Sequence, residues 1–176
     1  MDLQYVPFGN ARINETSKQV ICQHGPGECD ANLYQECAIA LYPETQHYLP
    51  FVSCLDRVLP MGYHETTFET QLFEVCAEES GLPFHRIKAC HDIPIVAWSL
   101  INKAAKATPS YHKYVPWVEL DGTPIDVDDG ELLITKICAA YKKAGGLDPV
   151  CYNLSQGLVE PQVDGDHVMA TSQQTV

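Results

Sequence analysis

Between Cys22 and Cys37 the chain places three cysteines, one histidine, two glutamates and one asparagine within sixteen residues, C-Q-H-G-P-G-E-C-D-A-N-L-Y-Q-E-C. Three chemistries can use such a set. Paired cysteines form disulfides. Deprotonated cysteines with a histidine bind zinc. A thiolate at a helix start acts as a nucleophile. Five further cysteines, Cys54, Cys76, Cys90, Cys138 and Cys151, bring the total to eight. An even set spread along a chain reads as a disulfide framework made in an oxidising compartment.

The spacing weighs against the sharper chemistries. No two cysteines lie closer than the seven residues from Cys22 to Cys29. The paired knuckle of structural zinc sites is therefore missing from Cys22, His24, Cys29 and Cys37, and no metal is expected. Cys29 stands near a helix start, but Glu28 beside it opposes a thiolate. His24 suits a hydrogen bond that holds a turn, Gly25 supplies backbone freedom, and Asn32 satisfies nearby backbone groups. Cys138 and Cys151 flank a reversal rich in glycine and proline, so they are expected to pair. The other six cysteines admit fifteen connectivities, which sequence does not resolve.

Composition agrees with export. The net charge of −12 excludes a polyanion-binding surface, so no nucleic-acid partner is expected. The sequons Asn14-Glu15-Thr16 and Asn153-Leu154-Ser155 are candidate glycosylation sites, meaningful only after entry to the secretory pathway. Yet Met1–Tyr5 has neither the basic start nor the apolar stretch of a signal peptide, and no run suits a membrane span. The expectation is that either a signal has been removed or the start of the protein is missing.

The elements that must position these residues read as follows. Leu3–Phe8 alternates like a strand, ended by Gly9-Asn10, and residues 11–21 read as a polar loop. Cys29, Leu33, Cys37 and Leu41 lie on one helix face, and Pro43 ends that helix. Tyr48, Val52, Leu55 and Leu59 mark a second helix, closed by Pro60 and Gly62. Phe68, Leu72, Val75 and Cys76 mark a third, closed by Gly81 and Pro83. Asp92 is expected to cap a fourth that runs through Trp98 to about Ala107, with Pro94 in its first turn. Tyr114–Leu120 reads as a strand, Asp121-Gly122 as a tight turn, and Pro124–Val127 as an edge strand. Asp128 with Glu131 resembles a capping box for a helix to Lys143, stopped by Gly145-Gly146, and explains the local acidic cluster without calcium. Residues 153–176 read as a disordered tail.

The pattern CQHG-x2-EC-x2-N-x4-C, formed by Cys22, Gln23, His24, Gly25, Glu28, Cys29, Asn32 and Cys37, resembles the signature of the gamma-interferon-inducible lysosomal thiol reductase family at every fixed position. Tyr114-Val115-Pro116-Trp117-Val118 with Asp121-Gly122 is similar to the strand of thioredoxin-like proteins that starts at a cis-proline. Tyr5–Asn10 resembles the family's strand after its catalytic helix. The resemblance covers roughly residues 3–151.

It implies an α/β, thioredoxin-like mixed sheet within a domain of residues 1–152, with a cysteine-rich helical insertion over about 20–107. It implies reduction of disulfide-containing protein substrates in an acidic secretory or lysosomal compartment, with no dissociable cofactor. Val115 and Pro116 would form the substrate-facing proline loop. The family's catalytic C-x-x-C is absent from these residues. The resemblance places it upstream of Leu3, together with a central strand and a helix. The chain is thus expected to be an N-terminally incomplete member without activity of its own. The missing strand would leave sheet backbone bare, a surface that a second copy can cover in a homodimer. The rival expectation is a non-catalytic, disulfide-stabilised module that binds extended polypeptide or another partner.

Overall fold

A computed structural model describes residues 2–59, 69–127 and 133–155. It divides into two units, residues 1–117 and 118–176. Helices dominate, accompanied by two separate two-stranded antiparallel sheets.

The first unit opens irregularly. The strand expected at Leu3–Phe8 does not form. Pro7 has no N–H to donate to a ladder. The following backbone closes a turn instead, with Phe8 N donating to Val6 O and Ala11 N to Phe8 O. The Tyr48 hydroxyl, which donates to the Leu3 carbonyl at 3.2 Å, holds the segment to a helix.

The expected loop over residues 11–21 is a hairpin. Strand β1, Arg12–Asn14, pairs with β2, Gln19–Ile21, in the register Ile13↔Val20. Three-residue strands are too short for alternation to show, and the ladder is made by its turn. Asn14 Oδ1 accepts from the N–H groups of Thr16 and Ser17, both at 3.0 Å. That side chain mimics a backbone turn and reverses the chain.

Five helices follow. Helix α1 spans Pro26–Leu41, α2 Thr45–Val58, α3 Thr70–Glu79, α4 Phe84–Asp92 and α5 Pro94–Ala107. Pro26 and Pro94 occupy first-turn positions, where the missing N–H costs nothing. Helix α1 is the central one and packs against α2, α4 and α5. Its middle, Tyr34–Ala38, is therefore buried on every side. The expected stripe fits only in part: Cys37 is fully buried, whereas Leu41 is 41% exposed. A helix enclosed on several faces shows no clean one-sided periodicity.

Helix α4 was not anticipated, and it displaces the expected cap. Asp92 is the last residue of α4, and Ile93 precedes α5. The core joins Ala31, Tyr34 and Ala38 of α1 to Phe51 and Leu55 of α2, Phe73 of α3 and Ile87 of α4. Tyr34 is its pivot: the rings of Phe73 and His91 each stack on it with centroids 4.0 Å apart.

All eight cysteines are paired. Cys37–Cys90 ties α1 to α4 and Cys54–Cys76 ties α2 to α3. The first closes 53 residues, which in the chain-entropy model stabilises the fold by about 4 kcal/mol.

In the second unit, β3 (Val118–Leu120) pairs with β4 (Thr123–Ile125). The strand expected from Tyr114 begins only at Val118. Asp121 and Gly122, with φ of 50° and 73°, form a two-residue turn of the type that matches strand twist. Helix α6, Leu133–Lys143, is followed by α7, Pro149–Ser155, which begins within the segment before the expected tail. Cys138–Cys151 joins α6 to α7. Phe68, the 128–131 capping box and residues 156–176 lie outside the described residues. No helix of the described residues is long and apolar enough to cross a membrane.

Candidate functional site

The signature folds as a turn over Cys22–Gly25 that runs into α1, which carries Glu28, Cys29, Asn32 and Cys37. Cys22 and Cys29 are disulfide-bonded across that turn. Gly25, with φ 93° and ψ −169°, makes the turn, a conformation that side-chain-bearing residues rarely adopt. Glu28 then organises the loop. Its carboxylate accepts from the His24 backbone N–H at 2.7 Å and lies 3.4 Å from His24 Nδ1. As the third residue of α1 it reaches back past the N-cap Gly25 to the residue before it, which fixes the turn against the helix start. The pairing of Cys22 with Cys29 and of Cys37 with Cys90 leaves none of these sulfurs as the thiolate that zinc or nucleophilic attack requires.

Gln23 connects this loop to the proline loop. Asn10 Nδ2 donates to Gln23 Oε1 at 2.7 Å, and Asn10 Oδ1 lies 3.0 Å from His112 Nε2. His112 Nδ1 is 2.6 Å from the Pro109 carbonyl. The segment after His112 leads to Val115–Pro116, whose peptide is cis. Val115 is 44% exposed, and a Cβ added to Gly9 would stand 3.5 Å from its Cγ1. Tyr111 and Tyr114 meet the Trp117 ring edge-on. The structure thus brings Gln23, Asn10, His112 and the approach to Val115–Pro116 into one hydrogen-bonded surface.

A small cleft lies beneath the signature loop, lined by Phe8, Cys22, Cys29, Asn32 and Glu36 among others. Burial pushes the Glu36 carboxyl up to about 7, and Lys103 only partly offsets it. Sequence reasoning missed Asn10, His112 and Glu36. The first two are joined across 102 residues, so no local pattern could pair them. Glu36 sits among apolar residues of a helix buried all round, where a charged letter reads as a solvent face.

The other sequence-derived sites are dispersed. Asn14 lies exposed on the first hairpin, and Asn153 lies on α7. Cys54–Cys76 and Cys138–Cys151 stand apart from the signature loop along the chain and serve as bridges between helices.

The fold and the loop define a helical, disulfide-framed protein whose cysteines all serve as covalent struts. Comparison with known proteins gives the family. A family model described as gamma interferon inducible lysosomal thiol reductase (GILT) matches residues 1–80. The gamma-interferon-responsive lysosomal thiol protein of Arabidopsis thaliana is 32% identical over 154 residues, covering 85% of this chain and 60% of the relative. GILT-like protein 2 of Drosophila melanogaster is 30% identical over 146 residues, covering 81% and 64%. The gamma-interferon-inducible lysosomal thiol reductase of Carassius auratus is 25% identical over 158 residues, covering 81% and 56%. The chain belongs to the gamma-interferon-inducible lysosomal thiol reductase family. It spans about three fifths of the length of these relatives.

Proposed function

We propose that these residues form the cysteine-rich helical part and the substrate-facing proline loop of a thiol-disulfide oxidoreductase. Its substrates are protein disulfides, and its setting is an acidic secretory or lysosomal compartment. The observation that carries this reading is the signature loop, Cys22 to Cys29, hydrogen-bonded through Gln23 and Asn10 to the approach to Val115–Pro116. In a thioredoxin-like arrangement a loop of that kind holds the extended substrate backbone beside a reactive cysteine. The reaction requires a thiolate to attack a substrate sulfur and a second thiol to resolve the mixed disulfide. Every cysteine in this chain is paired and none stands in a C-x-x-C, so in this reading the chain alone supplies neither group and reduces nothing. Exposed Asn14, presented on its hairpin turn, carries an N-glycan in this reading.

The test has two parts. The intact, deglycosylated protein from its source is weighed against the 19.6 kDa of these residues. The 176-residue chain is assayed for reduction of a disulfide-linked protein at acid pH. The expected result is a heavier native protein with further cysteines and no activity from the 176 residues themselves. Strong reductase activity from this chain would sink the reading.

One observation favours a second reading. With eight cysteines all oxidised, the same surface can bind extended polypeptide without electron transfer. A native mass equal to 19.6 kDa, with capture of a reduced and alkylated unfolded protein, would select it.

A further inference from the structure

His91 is the penultimate residue of α4 and follows Cys90, whose sulfur is bonded to Cys37 of α1. Its ring faces a carboxylate on each side. Nε2 lies 2.7 Å from Asp30 Oδ1 of α1, and Nδ1 lies 3.0 Å from Asp92 Oδ1. Ionised carboxylates only accept hydrogen bonds, so both ring nitrogens must carry protons for both contacts to be made. The imidazolium form alone satisfies this geometry. The ring face lies on Tyr34 of α1 at 4.0 Å, a surface that also favours a cation. Lys88 engages Asp92 on the outer side. The His91 side chain is only 18% exposed, so these contacts are partly shielded from water.

We propose that Asp30, His91 and Asp92 form an acid-engaged clasp that locks α4 onto α1 and shields the Cys37–Cys90 disulfide from reductants. The bridge cannot be attacked where it stands, because Cys37 is 0% and Cys90 9% exposed. Attack requires α4 to lift from α1, a local opening whose free energy includes whatever else holds the two helices together. The clasp holds them at the residue next to the bridge. Burial by itself pushes the His91 pKa down, but the hydrogen bonds and charges of Asp30 and Asp92 outweigh it, and the value stands above 6.5. A raised histidine value contributes its stability fully below 6.5 and loses it as pH rises through the folded value. Tyr34 stays a neutral phenol throughout, pushed up to about 12 by burial and then by Asp30 and Asp92. A protein working among thiols thereby keeps this strut while the medium is acidic and yields it when the medium turns neutral.

The test uses the whole chain and a water-soluble phosphine. The phosphine attacks one sulfur and releases the other as a thiolate. Water then takes the phosphorus, leaving phosphine oxide and two thiols. The disulfide gains two electrons and the phosphine loses them. Alkylation and mass spectrometry follow each bridge separately, and the equally buried Cys54–Cys76 bridge is the internal reference that cancels the reagent's own pH dependence. In the native chain, the rate for Cys37–Cys90 relative to the reference should rise about tenfold between about pH 5 and pH 8, the effect of one charge-assisted contact. Asp30→Asn and His91→Gln should raise the ratio at the acid end and flatten its pH dependence. Asp30→Asn preserves shape and the Asp92 contact, so it carries the test where His91→Gln fails to fold. A native ratio that does not change with pH overturns the proposal. A ratio that changes equally in folded Asp30→Asn overturns it too.

Discussion

At the scale of residues, two positions in and beside α1 have measurable consequences. Glu36 lies 6% exposed in the helix that α2, α4 and α5 pack around. Burial raises its carboxyl from 4.5 to about 7, so its charged form is disfavoured in the fold. The cost is absent below 4.5, grows as pH rises, and levels off above about 7. Glu36→Gln should therefore leave stability unchanged at low pH and raise it by about 3 kcal/mol at neutral pH, read by denaturant unfolding. Gly25 is the other position. Its φ of 93° with ψ of −169° falls where a Cβ clashes with backbone. Gly25→Ala should cost about 1–3 kcal/mol and shift the denaturant midpoint without changing the slope.

At the scale of elements, the helical block is held by Tyr34 and by two bridges. Phe73 is fully buried and stacks on Tyr34, so it carries the contact of α3 with α1. Phe73→Ala should destabilise the unit by about 3–5 kcal/mol in thermal unfolding, because the surrounding disulfide-linked helices cannot collapse into the void. In the second unit, Cys138–Cys151 closes 13 residues. Replacing both cysteines by serine should lower the stability of the α6–α7 pair by about 3 kcal/mol in the chain-entropy model, seen as faster amide exchange in Leu133–Lys143.

At the scale of the whole molecule, the titrating groups pull in one direction. His91 contributes below 6.5, and Glu36 costs nothing below 4.5. The net charge of −12 repels itself less as carboxylates and histidines take up protons. Asp92 opposes them only at the acid extreme. The Lys88 and His91 contacts hold its carboxyl below 3.8, so its contribution is present above that value and lost beneath it. The melting temperature should therefore peak at about pH 4–5.5 and fall towards neutrality. A peak at or above neutral pH would falsify this assignment of the groups.

The residue order alone determined much of this. Proline and glycine punctuation marked α1, α2, α3 and α5, because those residues act on their own backbone and need no partner. The Asp121-Gly122 turn was legible for the same reason. The family was legible in eight residues of one short segment, since Cys22–Cys37 carries its meaning in local spacing. Tertiary structure decided the rest. Leu3–Phe8 alternates but forms no strand, because alternation describes side-chain faces while a ladder requires a neighbour. Helix α4 escaped notice because its apolar positions, Ile87 and Cys90, face a core that exists only once α1 is enclosed. That Cys37 pairs with Cys90 and Cys54 with Cys76, and that His91 meets Asp30 across 61 residues, depend on helix docking, whereas the Cys138–Cys151 pair was already legible from its flanking reversal. Contacts of that range are made by packing, and no local pattern in the chain encodes them.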